Sequence, residues 1–209
     1  MAVYKPLLAR HLGSGREPAH WPAPDLPEYC FIGRSNVGKS SLINMLCGIG
    51  KLARVSNTPG RTRMVEHFRV EGTLTSRSPW LLADLPGYGF ANASKSDREA
   101  WRRMVHTYLL QRENLMCVFL LVDVRLEPQR SDLDMIEWLG GNGVPFVIVF
   151  TKADKLSQPK VASHVARYRK TLLHTWETLP TMFLTSSETR QGRDDLLAYI
   201  DAVNAQWGR

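Results

Sequence analysis

From Tyr29 onward, short apolar runs alternate with amphipathic stretches, a pattern that predicts an α/β fold. Tyr29 to Ile32 reads as a buried strand, and Trp80 to Ala83, Met116 to Val122, Phe146 to Phe150 and Thr181 to Thr185 read as central strands. Met64 to Val70 alternates instead, with Val65, Phe68 and Val70 interrupted by charges, and is expected as an exposed edge strand. Lys39 to Cys47 reads as a helix with Leu42, Ile43 and Leu46 inward. Trp101, Met104, Val105 and Tyr108 mark a second helix, and Val161, Val165, Tyr168, Leu172 and Trp176 a third. Leu196, Ile200, Val203 and Trp207 mark the last. The Met and Trp residues of these stripes belong to a core rather than to a cofactor site. Residues 1–27 carry five prolines, scattered charge and little periodicity. They are expected as an amino-terminal arm with one short edge strand near Val3 to Leu8, ahead of a single domain over residues 28–209.

The loops that follow the apolar runs carry the chemistry. Gly33-Arg34-Ser35-Asn36-Val37-Gly38-Lys39-Ser40 fits G-x-x-x-x-G-K-[ST], follows a strand and opens a helix, the context of a phosphate-binding P-loop NTPase motif. Its glycines let backbone N–H groups turn onto phosphate oxygens, and the helix start adds partial positive charge there. Lys39 would reach the β- and γ-phosphates, and the Ser40 hydroxyl would ligate Mg2+. This motif does not by itself choose between ATP and GTP.

Thr151-Lys152-Ala153-Asp154 follows the run Phe146 to Phe150 and fits N-K-x-D with Thr first. A carboxylate in the base plane accepts from guanine N1–H and the 2-amino group, whereas adenine would leave Asp154 buried and unpaired. The Lys152 stem would cover one face of the base. Thr185-Ser186-Ser187 follows the next strand, where a backbone N–H can meet the guanine carbonyl oxygen. Asp84-Leu85-Pro86-Gly87 fits D-x-x-G: Asp84 would hold the metal through a water, and the Gly87 N–H would sense the γ-phosphate. The polar loop Asn57 to Arg63 is where a switch threonine should lie, and both Thr58 and Thr62 qualify chemically. Where many small GTPases place a water-orienting Gln, this chain has Tyr88, and a phenol cannot position water as an amide does, so slow intrinsic hydrolysis is expected.

Composition adds less. Lys and Arg outnumber Asp and Glu, 27 to 20, for a formal charge of +7, which favours polyanions such as RNA or an anionic membrane face. Lys152, Lys155, Lys160, Arg167, Arg169 and Lys170 crowd one stretch, and Arg98, Arg102, Arg103 and Arg112 another; all are expected mostly on the surface. The longest apolar stretch, Met116 to Val122, is far too short for a bilayer span, and the amino terminus lacks the pattern of a secretory signal. Cys30, Cys47 and Cys117 form no C-x-x-C pair, and a reducing, cytoplasmic setting fits them.

Taken together, GRSNVGKSSLIN, NTPGRTR, DLPGYGFA, TKADKL and TSSETRQG resemble the EngB (YihA/YsxC) family of bacterial ribosome-biogenesis GTP-binding proteins, from about Tyr29 to the carboxyl end. That resemblance implies a Ras-like G domain with a mixed, mostly parallel six-stranded sheet flanked by helices. It implies a GTP/GDP switch in assembly of the large ribosomal subunit, with a link to cell division, and a monomer that uses no membrane. By match to T-P-G-R-T it gives the metal position to Thr62, so Ser40, Thr62 and Asp84 are the expected Mg2+ ligands and Lys39, Thr62 and Gly87 the catalytic group. Gly60, Arg61, Arg63 and Met64 then join Thr62 against the nucleotide. The segment Met64 to His67 departs from the more usual Gln- and Asn-rich stretch. Related GTPases hold K+ with an Asn at the position of Asn36; a loop Asn bonding its own backbone is the other reading. Two rival functions are a small-molecule kinase, which has no use for D-x-x-G plus TKAD, and a GTP-dependent RNA-binding module in which hydrolysis is incidental.

Overall fold

Strand β2 (Glu28–Gly33) is buried along its whole length and divides the core in two. Tyr29 and Phe31 enter one apolar cluster, Cys30 and Ile32 the other, as the two-residue repeat of a strand requires. The first cluster is closed by Leu42, Ile43 and Leu46 of helix α1 (Lys39–Cys47) and by Leu196, Leu197 and Ile200 of α5 (Arg193–Asn204). The second is closed by Val105, Tyr108 and Leu109 of α2 (Lys95–Gln111), Met135, Ile136 and Leu139 of α3 (Arg130–Gly141), and Val161, Tyr168 and Leu172 of α4 (Gln158–Leu172). Each fully buried large side chain contributes about 1.5–3 kcal/mol to such packing. This computed structural model describes residues 6–53, 64–89 and 94–208.

The remaining strands are β1 (Leu8–Gly15), β3 (Val65–Glu71), β4 (Pro79–Asp84), β5 (Leu115–Asp123), β6 (Phe146–Thr151) and β7 (Met182–Leu184). They join β2 in one seven-stranded sheet of order β1-β3-β4-β2-β5-β6-β7. β4, β2, β5, β6 and β7 run parallel, while β3 pairs antiparallel with both β4 and β1. The sheet is therefore mixed and mostly parallel, as expected, but with seven strands rather than six.

The seventh is β1. It begins at Leu8, where the expected short strand was to end, and pairs with β3 from Leu8↔Glu71 to Gly15↔Val65, with a register shift between His11 and Gly13. Residues 1–5 lie outside the described residues. β1 is mostly exposed and polar, so its sequence lacks the alternation that marks a half-buried strand. Its presence moves β3 inward, so β3 is not the edge strand its charges suggested. β7, expected as central, is the other edge. Helix α3, which is not among the four helices the periodicity predicts, connects β5 to β6.

A second correction concerns Arg112. Instead of lying on the surface it is buried, and its Nε and Nη2 donate to the Glu28 carboxylate at 2.8–3.1 Å. Its Nη1 donates to the Pro22 carbonyl at 2.8 Å, and Asn114 Nδ2 donates to Leu26 O at 2.6 Å. These bonds pin the proline-rich stretch before β2 under the sheet. The chain leaves β2 toward β3 and β4 on one side and returns from β4 to β5 on the other, so the connections diverge at the carboxyl end of β2. That is the topological switch point where open α/β sheets place their ligands.

Candidate nucleotide-binding site

The phosphate loop leaves β2 at Gly33 and enters α1 at Lys39. Gly38 sits at φ 104°, a conformation open to glycine and strained for other residues. Asn36 is also held at positive φ, 65°, and so is Lys152, at 62°. The two are joined: Lys152 Nζ donates to Asn36 O at 2.6 Å and to Asp123 Oδ2 at 2.8 Å. Strained backbone at paired loop positions marks a locally over-determined site.

The TKAD segment is anchored to the same loop. Thr151 Oγ1 donates to Val37 O at 2.7 Å and lies 3.2 Å from Val122 O, so the short hydroxyl ties β5, β6 and the phosphate loop together. Ala153 N donates to Thr185 O, and Ser186 Oγ donates to Asp154 Oδ1 at 2.6 Å. That bond, helped by Lys155 at 2.9 Å, holds the Asp154 carboxyl below the usual carboxylate range, so it is ionised and ready to accept. Ser187 is half-buried beside them.

The D-x-x-G segment closes the site from the β4 side. Leu85 N donates to Phe31 O, and the Pro86 carbonyl accepts from Trp101 Nε1 at 3.0 Å. A Cβ on Gly87 would stand 2.9 Å from Gly33 O and 3.2 Å from Ser35 N, so only glycine lets these two loops meet. Lys39 Nζ and the Asp84 carboxylate form an ion pair. Burial pushes the Asp84 carboxyl up, against the pull of Lys39.

Gly33 to Ser40, Asp84 to Gly87, Thr151 to Asp154 and Thr185 to Ser187 thus come together at one end of the sheet. Met64 is exposed just before β3. Gly60, Arg61, Thr62 and Arg63, with Thr58, lie outside the described residues. Of the arginines near the site, Arg34 is turned to α3, where Nη1 donates to Gln129 Oε1 at 3.1 Å.

Residues 28–152 match the family described as 50S ribosome-binding GTPase. The chain is 52% identical over 185 residues to the probable GTP-binding protein EngB of Porphyromonas gingivalis, covering 88% of this chain and 89% of that one. It is 56% identical over 180 residues to the probable GTP-binding protein EngB of Cytophaga hutchinsonii, covering 86% and 87%. The chain belongs to the EngB family of GTP-binding proteins. It is a GTPase that binds GTP and GDP, which removes the kinase alternative.

Among solved structures, a crystal structure of a probable GTP-binding protein engB superposes with a TM-score of 0.61 at 23% identity, over 86% of this chain and 99% of that one. Era in complex with MgGDPNP and nucleotides of 16S ribosomal RNA superposes at 0.63 and 24% identity, over 83% of this chain and 55% of that one. At these identities the likeness is one of fold.

Several polar residues of this EngB-family site fall outside the motifs. Asp123, at the end of β5, accepts from Lys152, from Arg125 Nε at 2.9 Å and from Arg125 Nη2 at 2.7 Å. Burial would raise its carboxyl, but these bonds hold it below the usual range. Asp132 on α3 accepts from the Tyr88 hydroxyl at 2.8 Å. Asp123 is marked in the sequence as a charge closing an apolar strand, whereas Asp132 lies on a helix whose only mark is the spacing of Leu133, Ile136 and Leu139.

Proposed function

We propose that this chain is a Mg2+-dependent, cytoplasmic GTP/GDP switch that acts on the large ribosomal subunit or its precursor during assembly, with a link to cell division. The single observation carrying the partner is the match of residues 28–152 to the family described as 50S ribosome-binding GTPase. Arg98, Arg102 and Arg103, exposed on α2 close behind the D-x-x-G loop, supply cations suited to an RNA backbone.

At the site, Asp154 accepts from guanine while Ser186 steadies it, and Lys152 covers the base and braces the loop through Asn36 O. Backbone N–H groups of Gly33 to Ser40 would receive the phosphates, with Lys39 exchanging its Asp84 partner for phosphate oxygens. A buried carboxylate and an alcohol at the start of α1 are the hard oxygen donors Mg2+ takes, so Asp84 and Ser40 fit it, with Thr62 as the third ligand. The ion would neutralise charge shared by the β- and γ-phosphates. Tyr88, tied to α3, does not orient water, so hydrolysis is slow until a partner assists. K+ at Asn36 is the accompanying proposal, tested by comparing rates in K+ and Na+ with Asn36→Ala.

The partner is tested by pelleting with isolated large subunits at several salt concentrations, with GDP, GTP and a non-hydrolysable analogue. Tighter binding with GTP or the analogue than with GDP is expected. Equal, nucleotide-independent binding to any RNA would make the chain a basic RNA-binding module in which hydrolysis is incidental.

A further inference from the structure

The D-x-x-G loop is held from two sides through the residue that follows it. On the main chain, Tyr88 N donates to Gly33 O at 3.1 Å and Ser35 N donates to Tyr88 O at 2.9 Å, a parallel bridge that lays Tyr88 along the phosphate loop. Ser35 Oγ reaches the same Tyr88 carbonyl at 3.3 Å. On the side chain, the Tyr88 hydroxyl donates to Asp132 Oδ1 at 2.8 Å, deep under α3. The other Asp132 oxygen stands 3.8 Å from Arg34 Nε, and Arg34 Nη1 is bonded to Gln129 one turn earlier. Arg34 belongs to the phosphate loop and Tyr88 to the D-x-x-G side, so one α3 carboxylate spans both. Asp132 is 2% exposed and Tyr88 5% exposed, so water does not replace either partner at low cost.

We propose that Asp132 is a positioning residue for γ-phosphate recognition: by clasping Tyr88 and Arg34 to α3 it keeps Gly87 against the phosphate loop and so favours GTP over GDP. The inference rests on the reading of Gly87 as the γ-phosphate sensor. With the clasp closed, the Gly87 backbone lies against Gly33 and Ser35, beside the place a third phosphate would occupy. With the clasp open, the peptide must be ordered when GTP arrives, whereas GDP has no third phosphate to meet it and is unaffected. A ligand shifts such an equilibrium only by its differential affinity for the two states, and the γ-phosphate is the only group that differs. The phenol stays protonated, because burial and the Asp132 charge both push its pKa up, so it remains the donor. Burial also pushes the Asp132 carboxyl up to about 6, with Tyr88 and Arg34 pulling the other way, so its charge is maintained by the two groups it joins.

The test uses the full chain and measures affinity for GDP and for a non-hydrolysable GTP analogue, with unfolding temperature alongside. Tyr88→Phe and Asp132→Ala should each lower the analogue-to-GDP affinity ratio about tenfold, the scale of one hydrogen bond to a charged group. The double variant should fall no further than Asp132→Ala alone, because Tyr88→Phe removes a bond that Asp132→Ala has already taken away. Asp132→Asn, which keeps Oδ1 as an acceptor for the phenol but loses the charge facing Arg34, should give a ratio between those of the parent and Asp132→Ala. Gly87→Ala is the control for the underlying reading. If it leaves the ratio unchanged, Gly87 is not the sensor and the proposal falls with that reading. If Gly87→Ala changes the ratio while Tyr88→Phe and Asp132→Ala lower only the unfolding temperature, the Tyr88–Asp132 bond is a core contact and the proposal alone is overturned.

Discussion

Charged networks flank strand β2 at both ends, and the two are built for different tasks. At its start, Glu28 is wholly out of water and receives the Arg112 guanidinium and the Tyr108 hydroxyl, while His67 Nε2 shares that hydroxyl at 2.8 Å. Beyond its end, the loop charges meet as simple lysine–carboxylate pairs: Lys39 with Asp84, and Lys152 with Asp123. The Arg112 and Glu28 side chains are 4% and 0% exposed, whereas Lys152 keeps 25%. A closed network cannot exchange its partners without losing the fold, while on the proposed reading Lys39 at the mouth leaves Asp84 for a phosphate. Charge density alone therefore does not mark a site; accessible, replaceable pairing does.

Breaking the closed end should have the largest effect. Arg112→Leu leaves Glu28 buried and unpaired and should cost about 3–5 kcal/mol of stability in denaturant unfolding. If folded protein remains at low temperature, its GTP affinity should match the parent, and a selective loss of nucleotide binding would erase the distinction between the two ends. Next in size is Asp154→Asn at the open end. GTP binding should weaken by about 1.5–3 kcal/mol and binding of XTP should strengthen, because a donor amide matches the xanthine carbonyl. Stability without nucleotide should barely change, and unaltered GTP binding would remove Asp154 from the base site.

At neutral pH the smallest effect comes from His67, whose contribution emerges only on acidification and sharpens the same contrast through pH. Burial, with Arg112 nearby, lowers its pKa from 6.5 to about 3. The neutral ring is thus favoured in the folded state, and its contribution is fully present above pH 6.5 and lost as pH falls from there toward 3. In that window stability should drop by up to about 1.4 kcal/mol per pH unit. His67→Gln should flatten the slope, and an unchanged pH profile would show that the ring is not held neutral by the closed network.

The two ends also differ in how readable they were. The open end was legible as a set of loops, because motifs of fixed spacing after a strand pick out Gly33 to Ser40, Asp84 to Gly87 and Thr151 to Asp154, and the fold brings these three together. The helix Lys39–Cys47 was read to the residue for the same reason. The closed end was not legible. Arg112 looks like any helix-surface cation, and its partner Glu28 lies 84 positions away. β1 was missed over Leu8–Gly15 because an exposed edge strand need not alternate. Asp132 was missed with its helix, although Leu133, Ile136 and Leu139 do recur at helical spacing.

The most direct test of the contrast is amide hydrogen exchange on the full chain, alone, with GDP, and with a non-hydrolysable GTP analogue. Nucleotide should slow exchange in the phosphate loop and at Lys152 to Asp154, with the amide of Tyr88 slowed further by the analogue than by GDP. The Glu28 and Arg112 amides, bonded to Asn114 O and Tyr108 O, should exchange at the same rate in all three samples. Slowing that reaches Glu28 and Arg112 as strongly as Tyr88, or no difference at Tyr88 between GDP and the analogue, would contradict the division of β2 into a locked end and a switching end.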